Sequence, residues 1–216
     1  MNPYSLFLAL HIFFGSIGLF SGSLNLFFKK GGKRHRRIGR IFVFSMIATS
    51  IFALILSILK FNFFLLIIGI FTIYLVGTGQ RYLFLKKLNQ DEKPKLIDWI
   101  LTGGMGVVGI VFMGWGIFLL SNEKSIGWAL LLFGLIGLLS VRKDIENYSG
   151  KSKKRQYWLR AHIARIVGAY IASMTAFLVV NQSVFPNFIP EVIYWILPTF
   201  VLTPLIVYWI RKFAKK

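Results

Sequence analysis

Seven apolar stretches divide the chain, at about 4–28, 39–59, 62–85, 97–120, 125–141, 159–181 and 191–210. A helix needs roughly 17–25 mostly apolar residues to cross the hydrocarbon of a bilayer. The pattern predicts an all-α fold: a polytopic integral membrane bundle of seven transmembrane helices, with residues 1–216 as one transmembrane domain. The fifth stretch is the shortest and leaves little room for tilt. The seventh contains Pro198 and Pro204, which lack backbone donors, so kinks are expected there, tolerated where neighbours satisfy the freed carbonyls. The opening MNPYSLFLALH has no basic region and no small-residue cleavage site after it, and reads as a retained helix.

The polar interruptions carry the charge. Of 26 Lys and Arg, 24 lie in or beside alternate connections: 29–40, 81–95, 142–165 and 211–216. Only Lys60 and Lys124 fall on the other side. Cytoplasmic loops of membrane proteins are enriched in cations, so the partition predicts an N-terminus outside and a C-terminus in the cytoplasm. The expected localisation is the cell (inner) membrane, multi-pass. The formal net charge of +19 is then mostly topology. The expected partner is a lipid bilayer with anionic headgroups at the cytoplasmic face, where each cation is worth about 1 kcal/mol; a membrane-protein partner is a further expectation.

Composition agrees with lipid as the solvent: 56% hydrophobic, 15% charged, mean hydropathy +0.68. The absence of cysteine excludes disulfides, thiolate nucleophiles and Cys-ligated metal centres. The first basic loop, GGKRHRRIGR at 31–40, has no aromatic platform for bases and no domain to position it, so no nucleic-acid partner is expected. Its Gly31–Gly32 pair lacks the strand-to-helix setting and the GKS or GKT ending of a phosphate loop.

Three histidines stand out. His35 closes the first basic loop, and His162 sits in WLRAHIARIVGA at the start of the sixth helix. The two segments share a weak pattern of Arg, His and Arg-Ile, consistent with an old duplication or with two basic helix starts. His11 lies about seven residues into the first helix, roughly 10 Å from its outer end. It heads a stripe of His11, Gly15, Gly18, Gly22 and Asn25 at four-three-four-three spacing, one face of a helix. Small stripes let helices approach closely, so the stripe is either a packing seam with one interhelical hydrogen bond or the wall of a site. Arg165, one turn beyond His162, either snorkels to headgroups or lines a cationic pocket; Asp98 is its candidate partner. The candidate cofactor-binding residues are therefore His35, His162, Arg165 and His11; the pattern names no catalytic residue and leaves the metal open.

The chain resembles a group of bacterial seven-helix membrane proteins classed together as a domain of unknown function. The residues that carry the resemblance are His11 with Gly15 and Gly22, KKGGKRHRRIGRIF with His35, Gly39 and Arg40, and LRAHIARIVGAYIASMTAFLVVN with His162 and Arg165. The resemblance implies a membrane-embedded fold in a bacterial inner membrane. It implies no activity.

Two function classes remain. One is an integral membrane protein that binds lipid, or a subunit of a membrane complex, with a basic cytoplasmic face. The other is a b-type haem or quinone-linked redox protein, with His35 and His162 as candidate axial ligands. His11 lies roughly 20 Å from them along the membrane normal by helix rise, and would need a separate site with Met113 or Met174. A proton-coupled transporter is disfavoured, because all seven carboxylates are expected in loops or at helix ends. A membrane hydrolase is disfavoured by the lack of HExxH, GxSxG or paired intramembrane aspartates.

Overall fold

The computed structural model describes residues 2–88, 92–152, 155–186 and 188–214. Asp91, Lys153, Lys154, Lys215 and Lys216, counted among the charges above, lie outside the described residues. The described residues form seven long helices: α1 (Pro3–Phe27), α2 (Lys33–Leu59), α3 (Phe63–Arg81), α4 (Leu96–Ser121), α5 (Ile126–Tyr148), α6 (Tyr157–Val180) and α7 (Glu191–Phe213). Short 3₁₀ turns follow α3 at Tyr82–Phe84 and α6 at Gln182–Val184. Each of the seven is long and apolar enough to cross a membrane, α3 together with its 3₁₀ turn.

Local chemistry starts and stops them. Asn2 caps α1 by accepting from the Tyr4 N–H at 3.1 Å, and Pro3 follows at the first turn, where a missing N–H costs nothing. Asn62 caps α3 through the Leu65 N–H at 3.1 Å. Between α1 and α2 the chain reverses at Gly31, with φ +77°, a conformation that glycine adopts without a Cβ penalty. Pro198 and Pro204 remain inside a continuous α7.

Two boundaries differ from the hydropathy reading in a way that matters. Helix α2 begins at Lys33 rather than near 39, so His35 is helical. Helix α5 runs on to Tyr148 rather than ending near 141. Its last two turns are rich in charge, which hydropathy reads as loop, yet one face of them remains buried.

Neighbouring helices form antiparallel hairpins, α1 with α2, α4 with α5 and α6 with α7, and α3 packs against α2, α4, α5 and α6. The centre of the bundle is therefore α3, buried over most of its circumference from Ile67 to Gly79; a helix in that position must be uncharged nearly all round. Elsewhere small and hydroxyl residues share the interior with large ones such as Phe42, Leu56, Phe112 and Leu130, while many other large apolar residues face outward. Gly18, Ser21 and Gly22 are buried on α1, and Ser45, Thr49, Ser50 and Ser57 on α2, while Phe20, Phe44 and Phe200 are exposed. Water drives no such arrangement; close backbone approach in lipid does. Several inward hydroxyls return to their own helix, as Thr49 does to the Ser45 carbonyl and Thr78 to that of Tyr74. Because the hairpins alternate, the described parts of the four cation-rich segments gather at one end, where Tyr157 of α6 donates to the Leu85 carbonyl and Arg160 to that of Ala214.

Candidate ligand site at the basic end

The α1–α2 hairpin and the α6–α7 hairpin leave a space between them at the basic end. It is a cavity of about 460 Å³, walled by Gly22, Asn25 and Leu26 of α1, His35 and Phe42 of α2, His162, Ile166 and Tyr170 of α6, and Trp209 of α7. His35 and His162, nominated from opposite parts of the sequence, thus border one cavity.

Each wall has a local cause. His162 points its Nδ1 at the Gly79 carbonyl, 2.8 Å away on α3. A carbonyl only accepts, so Nδ1 carries the proton and Nε2 of the neutral ring keeps its lone pair. Such a bond fixes the ring's orientation and tautomer. The helices meet closely there: a Cβ at Gly79 would lie 3.1 Å from Arg165 and Ile166 side-chain atoms. His35 differs. Its Nδ1 is buried with no hydrogen-bond partner among the described residues, and so is Asn25 Oδ1, which borders the same cavity. Buried polar atoms are paired in all but a few cases.

Two cation–ring pairs frame the mouth. Lys30 Nζ lies 4.1 Å from the centre of the Trp209 ring, and Lys86 Nζ 4.8 Å from that of Trp158. Lys30 also donates to the Asn25 and Leu26 carbonyls at 2.7 and 2.9 Å, closing the C-terminal end of α1, where the helix dipole favours a cation. Burial pushes the Lys30 ammonium down to about 8. Tyr170 of the lining reaches Ser23 behind it at 2.6 Å, and Ser23 Oγ donates to the Leu19 carbonyl, so the tyrosine is the donor between them. Among the described residues no Asp or Glu borders this cavity.

Arg165 and His11 stand elsewhere. Arg165 turns away from the histidines and pairs with Asp144 at 2.6 Å, not with Asp98. Asp98 is held by Arg81, through bonds of 2.7 and 2.8 Å. Asp144 also accepts from Tyr74, Tyr82 and Thr102, and Arg165 donates to Thr78 and the Ser140 carbonyl. The expectation that every carboxylate sits in a loop or at a helix end fails for Asp144, which is fully buried within α5. The sequence held a signal for it: the buried glycines Gly127, Gly134 and Gly137 of α5 extend by seven residues to position 144.

His11 bonds through Nδ1 to the Thr49 carbonyl of α2 at 3.0 Å, and its stripe is a helix-packing seam. Gly15 faces Thr49, Gly18 faces Met46, and Gly22 faces Tyr170 and Phe42. His11 does not border the basic-end cavity, whereas Asn25, at the other end of the same stripe, does. Lys30, Trp158 and Trp209 were not singled out by sequence, because a lysine in a basic loop and a tryptophan near a helix end each have an ordinary topological reason to be there.

The fold and the site define a class: a multi-pass membrane protein with a basic cavity at one end of the bundle, bordered by no carboxylate among the described residues. No family model, curated protein or solved structure matches the chain.

Proposed function

We propose that the chain is an integral cell-membrane protein, N-terminus outside and C-terminus cytoplasmic, that holds a lipid-like amphiphile in the cavity between α1, α2, α6 and α7. The cation partition supports the orientation. One observation carries the binding reading. The cavity joins an apolar floor of Phe42, Ile166 and Val167 to a rim of Lys30, Arg36, His35, Lys86 and His162, with no carboxylate among the described lining residues. An amphiphile matches both surfaces at once; a purely apolar or purely ionic ligand matches one. At about 460 Å³ the cavity falls within the roughly 300–1,000 Å³ usual for ligand sites. Binding as a lipid-holding protein is compatible with membership of a larger membrane complex through the outward apolar faces.

The test is photolabelling of the full-length protein in phosphatidylglycerol–phosphatidylethanolamine vesicles containing a phospholipid with a diazirine at mid-acyl chain. Adducts at Phe42, Tyr170 or Trp209 support the reading. Adducts confined to outward residues such as Phe20, Phe44 and Phe200 reject it.

A second reading, a b-type haem or quinone-linked redox protein, has its own observation. His35 and His162 border one cavity, and the Gly79 bond leaves His162 Nε2 with a free lone pair. Two imidazoles of this kind fit the donor set of an axially ligated haem; such a group would supply one-electron chemistry, and the protein would supply His35 and His162 as ligands. His11 takes no part. A stoichiometric Soret band from protein expressed with haem supplied supports this reading, and a bandless spectrum under the same conditions rejects the haem.

A further inference from the structure

A second cavity, about 710 Å³, lies against the first. Both are bordered by Asn25, His35, Arg36, Leu83, His162 and Ile166, so these residues form the threshold between two chambers. The chambers differ in character. The first is floored by aromatic and aliphatic side chains, whereas the second is walled by Lys33, Arg34, Arg37, Arg40 and Gln80. Among the described residues neither wall contains an Asp or a Glu.

We propose that the two chambers are one site for an anionic lipid whose head carries a phosphate without a compensating amine, the head in the arginine-walled chamber and an acyl chain across the threshold in the apolar one. This rests on the amphiphile reading above and adds the chemistry of the head.

Three observations bear on the head. Topology explains why cations lie at this end, but not why five of them, with no acidic residue among the described lining, wall a single concavity beside an apolar slot. Arginine is the residue whose planar fork matches phosphate oxygens in pairs. Helix α2 begins in the same wall: its first bond is Arg36 N–H to the Gly32 carbonyl, and Gly32 has no side chain to cap the N–H groups of Lys33, Arg34 and His35. Those donors and the helix dipole add to the attraction for an anion. Finally, of the three buried side-chain polar atoms without a hydrogen-bond partner among the described residues, two, His35 Nδ1 and Asn25 Oδ1, belong to residues of the threshold, where the polar-to-apolar junction of a lipid would lie; the third, Thr72 Oγ1, lies on α3 away from it. The imidazole can donate to an ester or phosphate oxygen, and the amide oxygen can accept from a hydroxyl of the head.

The experiment uses the full-length protein in detergent with two diazirine-tailed probes, phosphatidic acid and the headless diacylglycerol. The phosphatidic acid probe should label Tyr170 or Trp209 at concentrations at least about 25-fold lower, two cations contributing about fivefold each. The double variant Arg37→Gln, Arg40→Gln should erase about that advantage and leave diacylglycerol labelling unchanged, while Arg37→Lys, Arg40→Lys should keep most of it. Raising the salt should weaken phosphatidic acid labelling alone, a wild-type readout that stands if the glutamine variant does not fold. Equal labelling of the cavity by both probes overturns the phosphate head and leaves the amphiphile reading standing. Labelling of the cavity by neither probe overturns both. Inorganic phosphate that competes as well as unlabelled phosphatidic acid overturns the lipid as its source.

Discussion

Asp144 of α5 and Arg165 of α6 meet inside the bundle at 2.6 Å, with the carboxylate fully buried. The same carboxylate accepts from Tyr74 of α3, Tyr82 of the following 3₁₀ turn and Thr102 of α4, and the guanidinium lies over the Tyr74 and Tyr82 rings at 4.8 and 5.5 Å. Four helices are therefore held in one register by one ion pair. Removing either partner leaves the other charge buried and uncompensated, a loss of about 3–5 kcal/mol.

The expected outcome is that Asp144→Leu and Arg165→Met each lower thermal stability strongly in detergent, and that the double variant is milder than either single one. A double variant whose loss equals the sum of the two would show that the residues act separately.

The α1 seam gives a graded series. A Cβ at Gly22 would come within 2.5 Å of the Tyr170 ring and 3.1 Å of Phe42, whereas one at Gly15 would meet Thr49 at an ordinary 3.5 Å. Gly22→Ala should cost about 1–3 kcal/mol and Gly15→Ala close to nothing. Melting temperatures of the two variants check the order. Because Gly22 also borders the cavity, Gly22→Ala should weaken labelling of Trp209 as well.

His11→Leu removes one interhelical bond to the Thr49 carbonyl. The expected loss is about 0.5–1.5 kcal/mol, with photolabelling at the basic end unchanged, since His11 does not border that cavity. Lost labelling in a stable His11→Leu protein would give His11 a functional role that its packing does not.

The ammonium of Lys30 sets a pH dependence. It faces Trp209, the C-terminal end of α1 and the cavity shared with His35, Arg36, Lys86 and His162. It is charged below about 8 and neutral above. Between about 8 and 10.5 the unfolded chain holds a proton that the folded chain has released, so stability should rise with pH over that window. Binding of an anionic amphiphile should fall as pH rises above about 8, and Lys30→Gln should flatten both curves. A wild-type binding curve that is flat from pH 7 to about 10 would refute the part given to Lys30.

Orientation is checked by fusions. A reporter active only in the cytoplasm should work at the C-terminus, and one active only outside should work after Lys124 of the α4–α5 connection. A silent C-terminal cytoplasmic reporter in a well-expressed fusion would reverse the proposed topology.

The order and number of the helices could be read from the sequence, because a membrane-length apolar run has few alternatives to a helix: in lipid the backbone must satisfy its own polar groups. The grouping of cations into alternate connections was equally legible, since a charge count needs no coordinates. So was the nomination of His35 and His162. Tertiary structure decided the rest. Hydropathy averages over all faces of a helix, so it ended α5 before Asp144 and passed over a carboxylate that only one buried face reveals. It could not choose Arg81 rather than Arg165 as the partner of Asp98, because helices three to six can pack in several orders with identical hydropathy. Nor could it separate His11 from the other two histidines in role: one faces a packed seam and the others a cavity, a distinction made by which hairpins touch and which leave a space between them.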